Sequence, residues 1–240
     1  MFNMSFSRVA AMAAVALTLA ATSAFGQTPE SIVAAADRSD ADRQSDVTRD
    51  PIGLLRFIGA MPGWHVLDMA AGAGYGTELI ARAVGPEGKV FAQDFRASAK
   101  LAARMKTPAL ANAVSLVTAF DDLSDPALKN LDLETFMFGY HDTTFLRVDR
   151  AKMNSALFAA LKPGGLLVVA DHAAKPEDGV SVGKTLHRVA EKDVRSEIEA
   201  AGFVFVAAGD FLRRPEDPRS DPIFKNPTPV DGFILKFKKP

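Results

Sequence analysis

The 240-residue sequence contains no cysteine. That single absence excludes a disulfide framework, a thiolate zinc site, an iron–sulfur cluster, a cysteine nucleophile and lipid attachment through a processed cysteine. An excess of charge of one sign is also missing. With 28 basic and 29 acidic residues the formal net charge is -1, which gives no electrostatic reason to expect nucleic acid as a partner. Arg213, Arg214 and Arg219 are too few, and too mixed with Glu216, Asp217 and Asp221, to line a nucleic-acid groove. Beyond residue 26 no apolar run approaches the ~20 residues that a spanning helix needs. Internal repeats and low-complexity tracts are lacking, and no pattern marks an oligomer interface. What is present is a chain 48% apolar, enough for one domain with a sizeable core.

The first 26 residues read as an export signal. Arg8 is their only charge, Val9 to Ala21 is uncharged and apolar, and Ala24-Phe25-Gly26 supplies small residues where a signal peptidase cuts. The expected organisation is a signal peptide over residues 1–26, a charged helical segment over 27–50 and an α/β domain over 51–240. The mature chain would start near Gln27 and work in the periplasm or outside the cell. Eight of the fourteen residues from Asp37 to Asp50 are charged. They form either a solvated helix or linker, or a segment whose Arg38, Asp42, Arg43 or Arg49 folds over a ligand cleft.

From Trp64 onward the pattern alternates. Apolar strands are expected at Trp64–Met69, Lys89–Gln93, Val114–Thr118, Leu133–Phe138, Leu166–Ala170, Phe203–Ala207 and Gly232–Phe237. Helical segments near Tyr75–Val84, Ser98–Met105, Arg150–Leu161 and Glu191–Ala201 separate most of them. Strands joined through helices of this length mean βαβ crossovers and a mostly parallel sheet with helices on both faces, a doubly wound α/β fold. Leu166-Leu167-Val168-Val169-Ala170 is apolar without alternation, as a strand covered on both sides must be. The alternating phenylalanines at 136, 138, 203, 205, 233 and 237 read as sheet packing.

The strongest local signal is Val66-Leu67-Asp68-Met69-Ala70-Ala71-Gly72-Ala73-Gly74-Tyr75-Gly76. A strand feeds a turn of small residues that lets a ligand approach the backbone, and a helix follows at once. The glycines are out of register for the G-x-G-x-x-G pyrophosphate turn, and Asp68 would repel a pyrophosphate. An acidic group there suits a cationic or hydroxyl-bearing ligand. Asp94, at the tip of the next strand, can accept bonds from both hydroxyls of a ribose. Asp121 and Asp122, beyond the third strand, are placed to face an adenine amino group or else to cap a loop.

On these residues the chain resembles the class I S-adenosylmethionine-dependent methyltransferases, and more narrowly a group of exported bacterial methyltransferases. Asp68, Ala70, Gly72 and Gly74 match the acidic-x-Gly-x-Gly-x-Gly motif, with Ala70 departing at its first glycine. Asp94 matches the ribose-binding acid, and Pro163-Gly164-Gly165 the turn before the fifth strand. The resemblance covers about residues 50–237. It implies a Rossmann-like methyltransferase fold of seven strands with the last antiparallel, S-adenosylmethionine as cofactor, and methyl transfer to a small-molecule acceptor. Tyr75 would line the methionine end of the cofactor.

Histidines and aspartates gather at the expected C-terminal sheet edge. Tyr140-His141-Asp142 follows the fourth strand and Asp171-His172 the fifth, while His187-Arg188 precedes a helix and can fold back over the same edge. These three clusters also match the exported group. His65 begins the first strand, at the opposite edge, and reads as structural. Three uses of the cluster stay open. His141 or His172 takes a proton from the attacking nucleophile, with Asp142 or Asp171 fixing its tautomer. Alternatively His141, Asp142, Asp171, His172 and His187 hold a divalent metal that orients a diol substrate. In the third, all are loop histidines satisfied by hydrogen bonds. The activities competing with methyl transfer are cleavage or hydrolysis of a sulfonium or nucleoside ligand, and adenosyl-metabolite binding without turnover.

Overall fold

The three helices that precede the sheet each start at a side-chain cap. In the computed structural model, which describes residues 27–225 and 229–240, Thr28 caps α1 (Pro29–Val33) and Ser39 caps α2 (Asp40–Arg49). Asp50 caps α3 (Pro51–Ile58), with Pro51 preset in its first turn. The chain then alternates through β1 (His65–Met69), α4 (Tyr75–Val84), β2 (Lys89–Asp94), α5 (Ala99–Arg104), β3 (Ala113–Val117) and β4 (Leu131–Met137). It closes with α6 (Arg150–Ala160), β5 (Leu161–His172), α7 (Gly183–Leu186), α8 (Glu191–Ala200), β6 (Val204–Gly209) and β7 (Gly232–Lys238). The signal-peptide reading falls on residues 1–26, outside the described residues.

The seven strands form one sheet in the order β3-β2-β1-β4-β5-β7-β6. Pairing from β3 through β5 is parallel, and β7 runs antiparallel to both β5 and β6. The expected doubly wound fold with a reversed last strand is therefore present. Its central strands are sealed on both faces. Leu67, Phe136, Met153, Leu157, Val194 and Ile198 pack α6 and α8 on one side. Ile32, Leu54, Ile58, Val66, Leu79 and Ile80 pack α1, α3 and α4 on the other. Each such side chain contributes about 1.5–3 kcal/mol when fully buried. Glu134, on central β4, is fully buried with neither oxygen hydrogen-bonded, and burial pushes its pKa well above the usual carboxylate range.

Two local differences from the sequence reading matter. Pro163-Gly164-Gly165 is not a turn before the fifth strand but lies inside β5, which starts at Leu161. The Gly164 backbone N–H donates to the Lys239 carbonyl at 2.9 Å, so the stretch stays in the sheet, and the register shifts opposite it between Leu131 and Leu133. A short 3-10 segment, Tyr140–Thr144, carries His141, and α7 runs directly into His187. Neither is long enough to show a helical period. Among the described residues no helix is long and apolar enough to cross a membrane.

Candidate active site

β1 and β2 pair with Asp68 opposite Ala92, which brings Asp94 to the same C-terminal edge two residues further along. Between those tips opens a cleft of about 670 Å³, lined by Asp68, Gly72, Tyr75, Asp94, Phe95 and Phe120 among others. Asp94 Oδ2 accepts from the Gly72 backbone N–H at 3.0 Å, so the acid and the glycine turn are one unit. Its remaining lone pairs stay available to a ligand hydroxyl. A Cβ on Gly72 would meet no atom closer than the Ala70 carbonyl at 3.8 Å; the turn is open on its ligand side.

Asp68 is placed differently from a ligand acid on the surface. It is buried, with Oδ2 accepting from the Thr77 hydroxyl at 2.6 Å and Oδ1 from Thr135 at 2.8 Å. Burial raises its pKa to about 6, with the Asp94 charge adding to that, while the two hydroxyls pull the other way. It fixes the strand–turn junction beneath the cleft. Ala70, where the motif has glycine, adopts a left-handed backbone with φ 54°. Its methyl lies against Gly139, where an added Cβ would come within 2.6 Å of it. The neighbouring glycine makes room for the methyl.

The charged segment before residue 50 is a wall of this cleft. Ala41, Asp42, Ser45 and Arg49 of α2 line it. Arg104 of α5 grips Asp42 at 2.7 and 2.8 Å and Glu78 of α4 at 2.7 Å. Arg38 pairs with Asp46, and Asp46 also accepts the Tyr75 hydroxyl at 2.7 Å. Arg43 donates to the Ala35 carbonyl instead and stays within its own segment. Arg49 has no hydrogen bond or ion pair among the described residues. Its guanidinium lies over the rings of Tyr75, 4.8 Å from the centroid, and Phe138, 5.4 Å away.

Arg49 and Phe138 also border a second cavity of about 480 Å³, whose other walls include His172, Leu212, Ile223 and Phe224. The histidine cluster reaches the two cavities through His172, which lines the second, and Asp142, which lines the first. His141 donates its backbone N–H to Asp171 Oδ2 at 2.8 Å and places Nδ1 2.7 Å from Asp171 Oδ1. Its Nε2 lies 3.3 Å from Asp142 Oδ1. Burial disfavours the charged ring, yet Asp171, by charge and hydrogen bond, and Asp142 hold its pKa above the ordinary 6.5. His172, without such a pairing, is pushed down to about 4 by burial, which the Asp171 charge only partly opposes. The His187 ring stands edge-on to His141, centroids 5.4 Å apart.

The structure places three of the candidate residues away from the cleft lining. Arg188 does not face the crevice: its side chain is fully buried, paired with Asp217 at 2.8 Å and donating to the carbonyls of Ala173 and Asp221. It anchors the loop that presents His187. Asp121 accepts weakly from the Asp149 backbone N–H at 3.4 Å, and Asp122 accepts from Ser124, so neither borders the cleft. Phe120 turns inward against Phe95 and Phe136 and takes the wall expected of them. No motif announced Phe95, Phe120, Glu78 or Arg104, because each is ordinary for its element and meaningful only through its neighbours.

The ubiE/COQ5 methyltransferase family profile matches residues 46–182. The chain is 32% identical over 125 residues to the ubiquinone/menaquinone biosynthesis C-methyltransferase UbiE of Shewanella sp. strain W3-18-1, covering 51% of this chain and 48% of that one. The UbiE of Pseudoalteromonas translucida is 34% identical over 125 residues, covering 50% and 46%. The chain thus spans about half the length of the curated relatives it matches. Among solved structures, a SAM dependent methyltransferase from Aquifex aeolicus aligns with a TM-score of 0.61 at 18% identity, over 85% of this chain and 100% of that one. The [4+2]-cyclase SpnF aligns at 0.60 and 17%, over 83% and 82%. These structural likenesses show the fold. With the profile matched over more than half of this chain, on the segment that holds the glycine turn, both acidic strand tips, His141 and His172, the chain belongs to the ubiE/COQ5 methyltransferase family.

Proposed function

We propose that the protein transfers a methyl group from S-adenosylmethionine to a small, largely apolar acceptor bearing an ionisable oxygen. The observation that carries this reading is the pairing of two cavities at one sheet edge, divided by Arg49 and Phe138. The first fits an adenosyl ligand. Asp94 offers acceptors for ribose hydroxyls, Phe95 and Phe120 offer an apolar wall for a flat base, and the open Gly72 turn admits close approach. When bound, the cofactor supplies an electrophilic methyl group on a sulfonium.

The chain's own residues then bind and orient. Arg49, a partly buried guanidinium with no ion pair among the described residues, favours an anionic group at the boundary between the cavities. Phe138, Leu212 and Ile223 exclude water around the acceptor. His141, held by Asp171, is the group on which a proton leaving the acceptor's nucleophilic atom would be stored. Positioning supplies most of the acceleration, since methyl transfer needs an in-line approach above all. The relatives' C-methylation in quinone biosynthesis supports an aromatic acceptor, and so does the phenyl-rich second cavity. The leader pattern of residues 1–26, and the likeness to exported methyltransferases, support action in the periplasm or outside the cell. A mature chain starting near Gln27 is the observable that tests it.

The test of the activity is a panel of phenolic and hydroquinone acceptors incubated with methyl-labelled S-adenosylmethionine. The reading expects label in product and S-adenosylhomocysteine release that depends on the acceptor. Release without any acceptor gaining a methyl group would contradict it.

A further inference from the structure

Asp171 is buried and receives three bonds: from the backbone N–H groups of His141 and His172, and from His141 Nδ1. A carboxylate so held stays an acceptor, so the His141 proton sits on Nδ1 and the Nε2 lone pair faces the opposite way. That lone pair looks at Asp142 Oδ1 from 3.3 Å. For the neutral ring this is acceptor against acceptor, an arrangement relieved by a cation between them. His187 completes the group: one ligand atom from each of His141, Asp142 and His187 lies within 4.8 Å of the others.

Two separate segments are tied down to produce this convergence. His187 sits at φ 54°, a left-handed conformation costly for a side-chain-bearing residue. It is kept there by the buried Arg188–Asp217 pair on one side. On the other, α7 is seated so closely that a Cβ on Gly183 would lie 2.0 Å from Thr144 Oγ1 and 2.7 Å from the His141 carbonyl. Two ligands on a tetrahedral ion with bonds of 2.0–2.1 Å stand about 3.3 Å apart. His141 Nε2 and Asp142 Oδ1 are already at that spacing.

We propose that His141 Nε2, the Asp142 carboxylate and a ring nitrogen of His187 bind one first-row divalent transition ion, with Asp171 as the positioning residue that orients His141. Two imidazoles and a carboxylate suit zinc, iron(II), cobalt or manganese, whereas calcium and magnesium prefer all-oxygen sites. Asp142 borders the cofactor cleft, and Phe224, 4.9 Å from the His187 ring, borders the second cavity. The open coordination positions therefore face the junction, where an acceptor oxygen could bind the ion and lose its proton more readily. That last consequence rests on the methyl-transfer reading, and with the ion bound it takes the place of proton storage on His141, whose two nitrogens are then both engaged; the ion site itself does not rest on that reading.

Untagged, chelator-stripped full-length protein titrated with Zn²⁺ and Co²⁺ by calorimetry, with visible absorption of the Co²⁺ form, tests the site. The expected result is one ion per chain, bound at least tenfold more weakly in His187→Ala and in Asp171→Asn, and unchanged in His65→Ala. S-adenosylmethionine binding by His187→Ala should match wild type, which separates this site from the cofactor cleft. Absence of stoichiometric binding, or equal binding by His187→Ala, would overturn the site and leave a proton as the only shared cation. Failure of S-adenosylmethionine to bind while Co²⁺ still does would instead count against the methyl-transfer reading alone.

Discussion

Ala70 is where a single methyl group separates this chain from the glycine motif, and the structure prices it. A left-handed alanine costs about 1–2 kcal/mol relative to glycine, and Gly139 leaves the space that its methyl fills. Ala70→Gly should therefore raise stability by about 1 kcal/mol. Gly139→Ala should lower it by about 1–3 kcal/mol through the clash. Made in the Ala70→Gly background, Gly139→Ala should cost at least ~0.5 kcal/mol less, read from urea midpoints in a double-mutant cycle. Strict additivity would mean the two residues do not share that space. At this scale the sequence showed the acidic strand tips well, since Asp68 and Asp94 end apolar strands beside a glycine turn. It misplaced Asp121 and Asp122 because direction after a strand end depends on which neighbour, here Phe120, enters the core.

Elements were legible where they were long and apolar. β1, β2 and β7 announce themselves as runs bounded by glycine or charge, and α4, α6 and α8 by their length between strands. α7 and the Tyr140–Thr144 segment were not, because four or five residues carry no period; they exist through contacts such as Gly183 against Thr144. α2 left two readings open, and tertiary contact decides between them through Arg104, Asp42 and Glu78. Arg188 is the sharpest case of an element-level role mistaken for chemistry. Its pair with Asp217 has no solvent exposure on either side chain. Arg188→Met should cost about 3–5 kcal/mol by breaking the buried ion pair with Asp217, with the affinity for S-adenosylmethionine within twofold of wild type at a temperature where the variant is folded. Unchanged stability with lost cofactor binding would return Arg188 to the cleft.

Across the whole molecule, one sheet edge collects the chemistry. Parallel βαβ winding sends every strand from β1 to β5 out at the same side, so loops distant in sequence meet there. The seven strands and the reversed last one were legible through the resemblance. The two cavities, their Arg49–Phe138 divider and the closing of α2 over the first were not, because they arise from packing between elements. The claim on which the rest depends is that the space between the β1 and β2 tips takes an adenosyl ligand. Calorimetric titration of the protein with S-adenosylmethionine, repeated with Asp94→Ala, tests it most directly. The account predicts one site per chain with micromolar affinity, weakened by more than tenfold when the Asp94 carboxylate is removed. Heat indistinguishable from dilution for wild-type protein, or equal binding by Asp94→Ala, would contradict it.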